Sequence, residues 1–413
     1  MNIRTPQAVL AALALLTLAG CGGAPGPQTS QATATENAQP GHGVIAGVAQ
    51  VAEPQLHLVA IDAAGKASML DLLNGTKSQL GSVQPPANVT SDGRYVFAAN
   101  AKGVDIIDSG VWTWDHVDHF HYYRSEPAAL GTVSGEGAAT VATGLLSTAG
   151  TTGMFFPSSG SAVLVDNSAL SAGTISETLR LVVEPHAGLI APLGDGAVVT
   201  EADGHGMAAR LRAVDATGKE LTTAECPAAA GTITTRVGLV IGCADGAVIA
   251  TSDAATPVLE HVPYPAGAAA PSTTFDARKG RPTVAGIGAD QGVWLLNTRE
   301  RKWDWLPTAT PVLAAAAVDD DAGHVVVLGS DGTVQVYDEN TKERVATTKP
   351  LMPATLASPE LTGKVELTVD GERAYVSAPA EGVVFEIDYA DGARIARTLT
   401  LPTQPVHLVE TGR

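Results

Sequence analysis

The sequence predicts an all-β protein with a β-propeller fold. From about residue 50 onward, short β-type runs alternate with Gly and Asp turns, and almost nothing follows the 3.6-residue period of a helix. Residues 90–108 (TSDGRYVFAANAKGVDIID) resemble residues 368–388 (TVDGERAYVSAPAEGVVFEID), since both contain an Asp-Gly turn and two apolar strands around a Gly turn. A repeat of ~40–50 residues with four strands per unit is typical of a propeller.

The second strand of each unit gives the number of blades. The first unit already begins with such a strand at residues 56–61 (LHLVAI), so it lacks an innermost strand. We expect residues 405–410 (PVHLVE) to supply that strand and close the ring, which removes the exposed sheet edges. Eight blades are favoured, and seven is the alternative because the third unit, residues 126–183, is irregular. The candidate second strands lie near residues 57, 96, 154, 197, 239, 284, 325 and 374, at a mean spacing of about 45 residues.

The N-terminus predicts export and a lipid anchor. The apolar run from Val9 to Leu18 is too short to span a bilayer, and it ends in Leu18-Ala19-Gly20-Cys21, which resembles a bacterial lipobox. An acylated Cys21 would hold the protein on the membrane of the cell envelope without spanning it. An ordinary secretory signal with an incidental cysteine is the alternative.

Composition then divides the chain into three parts. Residues 1–20 form the predicted lipoprotein signal peptide. Residues 21–48 are rich in Gly, Pro, Ser, Thr, Gln and Ala, so we expect a flexible tether there. Residues 49–413 form the predicted propeller domain, which we expect to be monomeric. The net charge of −18 argues against nucleic acid and against electrostatic attraction to anionic lipid.

Two cysteines follow Cys21, namely Cys226 and Cys243. Outside the cytoplasm, two cysteines with sixteen residues between them most often form a disulfide. In the chain-entropy model a loop of that size stabilises the fold by about 3 kcal/mol. Thiolate metal ligands are the alternative.

The richest cluster of potential metal ligands is residues 113–123 (TWDHVDHFHYY), which hold three of the ten histidines. Zinc prefers imidazole nitrogen, often completed by a carboxylate. In an extended strand His119 and His121 share one face, whereas His116 and Asp118 share the other. We therefore expect His116 and His119 in a turn, a strand that resumes after His119, and His121 as a spectator. A solvated loop with aromatic anchors is the alternative.

Two more histidines are candidates near the channel mouth. His186 lies in residues 183–188 (VEPHAG) before a predicted innermost strand, and His205 lies in residues 201–207 (EADGHGM) between the second and third strands of the same blade. Both loops open on the same face of a propeller, so the two histidines can approach each other. Residues 113–123 follow a third strand and open on the opposite face, so the sequence does not unite them with His186. Ordinary turn residues are the alternative.

Signals for an enzyme are absent from the sequence. It contains no G-x-S-x-G elbow, no H-E-x-x-H motif and no phosphate-binding glycine loop. No residue is recognisable as a catalytic base, so we expect no catalytic activity. A metal-dependent hydrolase or lactonase is the enzymatic alternative.

The order of several short stretches resembles the AztD-type zinc metallochaperones. The similarity extends from about residue 55 to residue 410. The matching stretches are SGVWTWDHVDH at 109–119, EPHAG at 184–188, AECP at 224–227, IGCAD at 241–245 and LEHVPY at 259–264.

The resemblance implies an extracytoplasmic β-propeller that binds Zn²⁺ and delivers it to the solute-binding protein of a zinc-uptake ABC transporter. It implies that His116 and His119 match the histidine/aspartate cluster of the family, that His186 matches a family histidine, and that Cys226 and Cys243 match a paired element. The chain also departs from the family. Its N-terminal segment offers only His42 and Glu36 as ligands, and residues 227–231 (PAAAG) replace a histidine.

The leading hypothesis is therefore a tethered zinc chaperone without turnover. Its core ligands are His116, His119 and His186, with Asp118 and His205 as possible fourth partners. His121, the likeliest spectator, is the last candidate of the set. The alternative is an extracytoplasmic scaffold that binds protein or glycan and whose histidines are incidental.

Overall fold

The computed structural model describes residues 48–115, 119–252, 256–268, 271–288 and 291–413. The predicted signal peptide, the tether up to residue 47, the lipidation site Cys21 and two predicted ligands, His116 and Asp118, lie outside these residues. The regular secondary structure of the described residues is almost entirely antiparallel β-strand, which confirms the all-β prediction. None of its helices is long and apolar enough to cross a membrane.

The elements are short and follow each other closely. The strands of the first half are Ala49–Val51 (β1), His57–Ile61 (β2), Lys66–Asp71 (β3), Lys77–Ser82 (β4), Asn88–Ser91 (β5), Tyr95–Asn100 (β6), Gly103–Asp108 (β7), Val111–Asp115 (β8), Phe120–Arg124 (β9), Ala128–Ser134 (β10), Thr140–Thr143 (β11), Thr151–Phe156 (β12), Ser161–Asp166 (β13), Glu177–Val182 (β14), Ile190–Leu193 (β15), Gly196–Ala202 (β16), Ala208–Val214 (β17) and Glu220–Glu225 (β18). Those of the second half are Ala230–Thr234 (β19), Leu239–Cys243 (β20), Gly246–Thr251 (β21), Val258–Pro263 (β22), Phe275–Asp276 (β23), Thr283–Ile287 (β24), Gly292–Asn297 (β25), Lys302–Pro307 (β26), Val312–Ala317 (β27), His324–Gly329 (β28), Val334–Asp338 (β29), Arg344–Thr347 (β30), Leu367–Val369 (β31), Ala374–Ala378 (β32), Val383–Asp388 (β33), Arg394–Leu399 (β34) and His407–Thr411 (β35). The helices are Asn167–Ser171 (α1), Pro353–Ala357 (α2) and a 3₁₀ turn at Thr362–Lys364.

Among the described residues these strands form eight four-stranded antiparallel sheets. We number them by sequence, and the first has the order β35-β2-β3-β4. The C-terminal strand thus pairs with β2, as predicted for residues 405–410. The other sheets are β5-β6-β7-β10, β11–β14, β15–β18, β19–β22, β23–β26, β27–β30 and β31–β34. The strands at the eight predicted second-strand positions are β2, β6, β12, β16, β20, β24, β28 and β32.

The core lies between the sheets. Second strands such as β6 and β20 are buried along their whole length, because both faces of each sheet are covered. Successive residues of a strand point to opposite faces, so neighbours such as Val198 and Val199 belong to different apolar clusters. The clusters join the first sheet to the second (Val59, Val96), the second to the third (Phe97, Met154), the third to the fourth (Phe155, Val199), the fourth to the fifth (Val198, Ile241), the fifth to the sixth and seventh (Val240, Val284, Val327), the seventh to the eighth (Val326, Val376) and the eighth to the first (Tyr375, Leu58).

The irregular region at residues 126–183 has a physical explanation. Its first strand, β10, completes the second sheet by pairing with β7, so it is not part of the third unit. Helix α1 then interrupts the third sheet between β13 and β14. The side chain of Asp166 caps this helix by accepting a hydrogen bond from the backbone N–H of Ser168.

A hairpin is inserted between β7 and β10 of the second sheet. Its strands, β8 and β9, pair with each other rather than with the sheet, and β1 adds a third strand beside β9. This three-stranded unit contains the described part of the histidine-rich segment.

The predicted disulfide between Cys226 and Cys243 is confirmed. Both cysteines are buried, and they connect the residue after β18 to the last residue of β20. The thiolate alternative is thereby excluded, since bonded sulfurs carry no free thiolate.

Candidate functional site

The two strands of the inserted hairpin are held together by a buried pair of stacked aromatic rings. Trp112 of β8 stacks on Tyr123 of β9 with ring centroids 5.3 Å apart, and both side chains are buried. The guanidinium of Arg94 lies 3.7 Å from the centroid of the Trp112 ring. Strand β9 begins at Phe120, so the prediction that a strand resumes after His119 is confirmed.

His119 and His121 meet at the tip of this hairpin. Their Nε2 atoms are 3.1 Å apart, and their rings are edge-to-face with centroids 4.9 Å apart. His119 is exposed and His121 is half-buried. Two imidazole nitrogens on one tetrahedral zinc ion, with Zn–N bonds of about 2.0–2.1 Å, lie about 3.3–3.4 Å apart. The observed separation is close to that value.

Gln50 is a contact of this site that sequence reasoning missed. Its side-chain amide nitrogen lies 2.8 Å from Nδ1 of His121. Strand β1 brings it there, because Gln50 pairs with Tyr123 across the β1–β9 ladder. If the amide is rotated by 180°, its oxygen accepts a hydrogen bond from Nδ1–H of His121. The lone pair of the neutral ring is then on Nε2, which can bind a metal. No local signal marks Gln50, since its partner is 71 residues away.

Two contacts hold the hairpin against other sheets. The carboxylate of Asp115 forms an ion pair with Arg236 in the turn between β19 and β20 of the fifth sheet. The hydroxyl of Thr113 donates to the carbonyl oxygen of Gly412 at 2.6 Å. The sequence stretch gave no indication of either partner, because both lie more than a hundred residues away.

His186 has a different environment. It is buried, with 5% of its surface exposed, and it lies edge-on to Phe155 with ring centroids 4.8 Å apart. Its Nδ1 is 2.6 Å from the carbonyl oxygen of Glu184, and its Nε2 is 2.8 Å from the hydroxyl of Thr200. Both ring nitrogens therefore have partners. Gly188 is required beside it, because a Cβ there would lie 2.4 Å from Nε2 of His186.

His205 lies in the exposed turn between β16 and β17. A backbone bridge between Ala187 and Met207 brings its segment beside that of His186. Its backbone N–H donates to the carboxylate of Asp203 at 2.7 Å. This bond and that from the N–H of Met207 lower the pKa of Asp203. The His205 ring is exposed while the His186 ring is buried.

The described residues contain no group of three or more His, Cys, Asp or Glu side chains able to hold a metal. The structure thus brings His119 and His121 together, but it does not unite either of them with His186 or His205. His116 and Asp118 lie outside the described residues. The predicted ligand set stays a prediction.

Comparisons with known proteins agree with the fold. No protein-family model matches the chain. The chain is similar to the zinc chaperone AztD of Citrobacter koseri, with 24% identity over 362 residues that cover 84% of this chain and 83% of AztD.

Two solved structures of Citrobacter koseri AztD, one of them of the apo protein, match with a TM-score of 0.75. Identity is 22% and 21% respectively, and each match covers 87% of this chain and 98% of AztD. At this identity the structures show a shared fold. The relative is named as a chaperone and not as an enzyme, and the sequence similarity supports an AztD-like protein.

Proposed function

We propose that this protein is a zinc-binding metallochaperone of the AztD type. The observation that carries the proposal is the 3.1 Å separation of the Nε2 atoms of His119 and His121, which is close to the separation of two nitrogens on one zinc ion. The similarity to the zinc chaperone AztD supports the same conclusion. Zinc is the cargo of such a protein, to be bound and then released.

His119 and His121 are the first two ligands in this proposal. His116 and Asp118, which are close to His119 in the sequence, are proposed as the remaining ligands. His121 is then a ligand rather than the spectator that the sequence predicted. We leave His186 out of the set, because a ligand role would break a hydrogen bond at one of its buried ring nitrogens.

Release follows from the position of the site. The His119 ring is exposed, so ligands of a second protein can reach the zinc while it is still bound. We propose the solute-binding protein of a zinc-uptake ABC transporter as the receiver. Affinity falls at acid pH because only the neutral imidazole binds zinc.

The propeller and its location are part of the same proposal. Apolar clusters join the eight sheets in succession and join the eighth to the first, which supports one closed ring of eight blades. Residues 1–20 direct export, and an acylated Cys21 tethers the domain to the cell envelope.

Zinc titration of the purified protein tests the site. We expect one tightly bound ion, and at least about 100-fold weaker binding after the double change His119→Ala and His121→Ala, because two ligands are lost. His261→Ala is the matched control, since His261 is a partly exposed histidine paired with Asp245 at 3.1 Å and should leave affinity unchanged.

Unchanged affinity in the double variant would reject the ligand assignment. No binding at micromolar zinc would reject the metallochaperone and favour the scaffold that binds protein or glycan. Transfer is measured by mixing the zinc-loaded protein with the metal-free solute-binding protein and following the metal on each.

A further inference from the structure

A cavity of about 770 Å³ lies between the inserted hairpin and the residues at the end of β35. Thr113 and Tyr122 of the hairpin line one side, and Gly412 lines the other. Cavities of roughly 300–1,000 Å³ are typical of small-molecule sites. The space is therefore large enough for an organic ligand.

The charge of the cavity is opposite to that of the whole chain. Five cationic side chains line it against two carboxylate side chains, in a protein of net charge −18. Such a concentration of one sign raises the local concentration of anions. The cations are Arg236, Arg278, Lys279, Arg281 and Arg413, and the carboxylates are Asp115 and Asp370.

Four of these cations are already bonded within the protein. Their partners keep them in place at the cavity wall and neutralise part of their charge. Arg236 pairs with Asp115, Arg281 with Asp319 at 2.9 Å, and Arg413 with Glu410 at 3.0 Å, while Lys279 donates to the backbone oxygen of Asp92 at 2.5 Å.

Arg278 differs from the other four. Its guanidinium is half-buried, yet it forms no hydrogen bond or ion pair with any residue in the part of the chain that the structure describes. Gly371 makes room for it, because a Cβ at that position would lie 3.0 Å from Nη2 of Arg278. A guanidinium held in a cavity with its donors unused is suited to a carboxylate, which it binds through two parallel hydrogen bonds.

Several other side chains of the wall are apolar. Leu56, Phe120, Leu145 and Leu146 line it, and Phe120 and Leu146 are 51% and 41% exposed. Exposed large apolar side chains beside a cationic surface favour a ligand that carries hydrocarbon as well as charge.

We propose that this cavity binds a small organic polycarboxylate, with Arg278 as its main anchor. One carboxylate pairs with the guanidinium of Arg278, a second is stabilised by the surrounding excess positive charge, and the hydrocarbon part lies against Phe120 and Leu146. The proposal does not depend on zinc binding, since none of these contacts involves a histidine.

Tricarballylate (propane-1,2,3-tricarboxylate) is a suitable probe, because it lacks the hydroxyl that makes citrate a strong chelator. Titration calorimetry on the zinc-free full chain should show saturable binding. Arg278→Gln should weaken it by about tenfold or more, because charge-assisted hydrogen bonds are lost. Arg344→Gln is the control, since Arg344 lies on β30, outside the cavity. The thermal midpoint of each variant verifies that it is folded.

Two further arms sharpen the result. Inorganic phosphate should bind at least about tenfold more weakly than tricarballylate, because it has no hydrocarbon for the apolar wall. The double variant His119→Ala and His121→Ala should bind tricarballylate as the unchanged protein does. The proposal is overturned by the absence of saturable binding, by equal affinity for phosphate, or by an Arg278→Gln effect no larger than that of Arg344→Gln.

Discussion

The inserted hairpin and the connection from β14 to β15 (residues 183–189, called the corner below) both contain histidines, but their environments differ. At the hairpin tip two rings meet with their Nε2 atoms 3.1 Å apart, and one of them is exposed. At the corner the ring of His186 is buried and both of its nitrogens have partners in the fold. His186 is enclosed in the fold and contributes to stability there, whereas the exposed ring of His119 can be reached by an ion from solvent. Four predictions test this difference, in order of decreasing effect.

The largest effect should come from the pH dependence of His407, another buried histidine. Burial first, and then the charge of Lys364, lower the pKa of His407 to about 4 from 6.5. The folded state therefore binds fewer protons than the unfolded state between these values. The contribution of the neutral, buried His407 to the free energy of unfolding is therefore complete above about pH 6.5. It decreases by roughly 3 kcal/mol as the pH falls toward 4.

Urea denaturation at several pH values, compared between the protein and His407→Gln, measures this contribution. Only the difference is informative, because burial raises the pKa of Glu366 to about 7 and thereby acts in the opposite direction. Parallel stability curves for the two proteins between pH 4 and 6.5 would contradict the prediction.

The second prediction concerns His186→Ala. The variant removes the hydrogen bonds that the ring makes with the carbonyl of Glu184 and the hydroxyl of Thr200, and it leaves a cavity beside Phe155. We therefore expect the free energy of unfolding to fall by about 2 kcal/mol. Zinc affinity should change less than about twofold. His205→Ala, in the neighbouring exposed turn, is the control and should stay within about 0.5 kcal/mol.

The opposite outcome for His186→Ala is equally clear. If zinc affinity falls strongly while stability is retained, His186 is a ligand, as the resemblance to the AztD family implied. The buried corner and the hairpin would then act on the same ion.

The third prediction concerns Gln50→Ala. Loss of the amide that orients His121 should weaken zinc binding by about tenfold, the lower end of the range for residues that position a metal ligand. Gln79→Ala on the exposed edge strand β4 should have no effect. An unchanged zinc affinity for Gln50→Ala would show that His121 needs no support from β1.

The smallest effect should come from Thr113→Val. It removes the hydrogen bond from the hairpin to Gly412, which should lower the free energy of unfolding by about 1 kcal/mol. The exposed Thr398→Val on β34 is the control, since no hydrogen bond of its side chain is present among the described residues. Equal stability of the two variants would mean that this bond does not hold the hairpin.

Local patterns predicted a large part of the fold. Apolar runs bounded by Gly and Asp turns placed all eight second strands, and the apolar C-terminal run identified the partner of β2. The irregular third unit was misread, because nothing local shows that β10 belongs to the preceding sheet. Strand pairing outside a simple repeat depends on the whole fold, not on neighbouring residues.

The sequence predicted the type of ligand at the candidate site, but not the arrangement of the side chains around it. Residue types pointed to imidazole ligands, and the pairing of His119 with His121 follows from their alternation in an extended strand. The alternation also argued for His121 as a spectator, because it could not show how close the two rings come. Gln50 and Arg236 were missed, since the fold brings them to the hairpin from distant parts of the chain.

The pairing of β35 with β2 has a consequence for biogenesis. His57 pairs with Thr411, so an early strand must wait for residues about 350 positions later. Contacts of such high sequence separation slow folding, and until they form the apolar strand β2 keeps an unpaired edge. We expect chains truncated before residue 407 to aggregate or be degraded. We expect the first sheet to complete its folding only after β35 has been synthesised and can pair with β2.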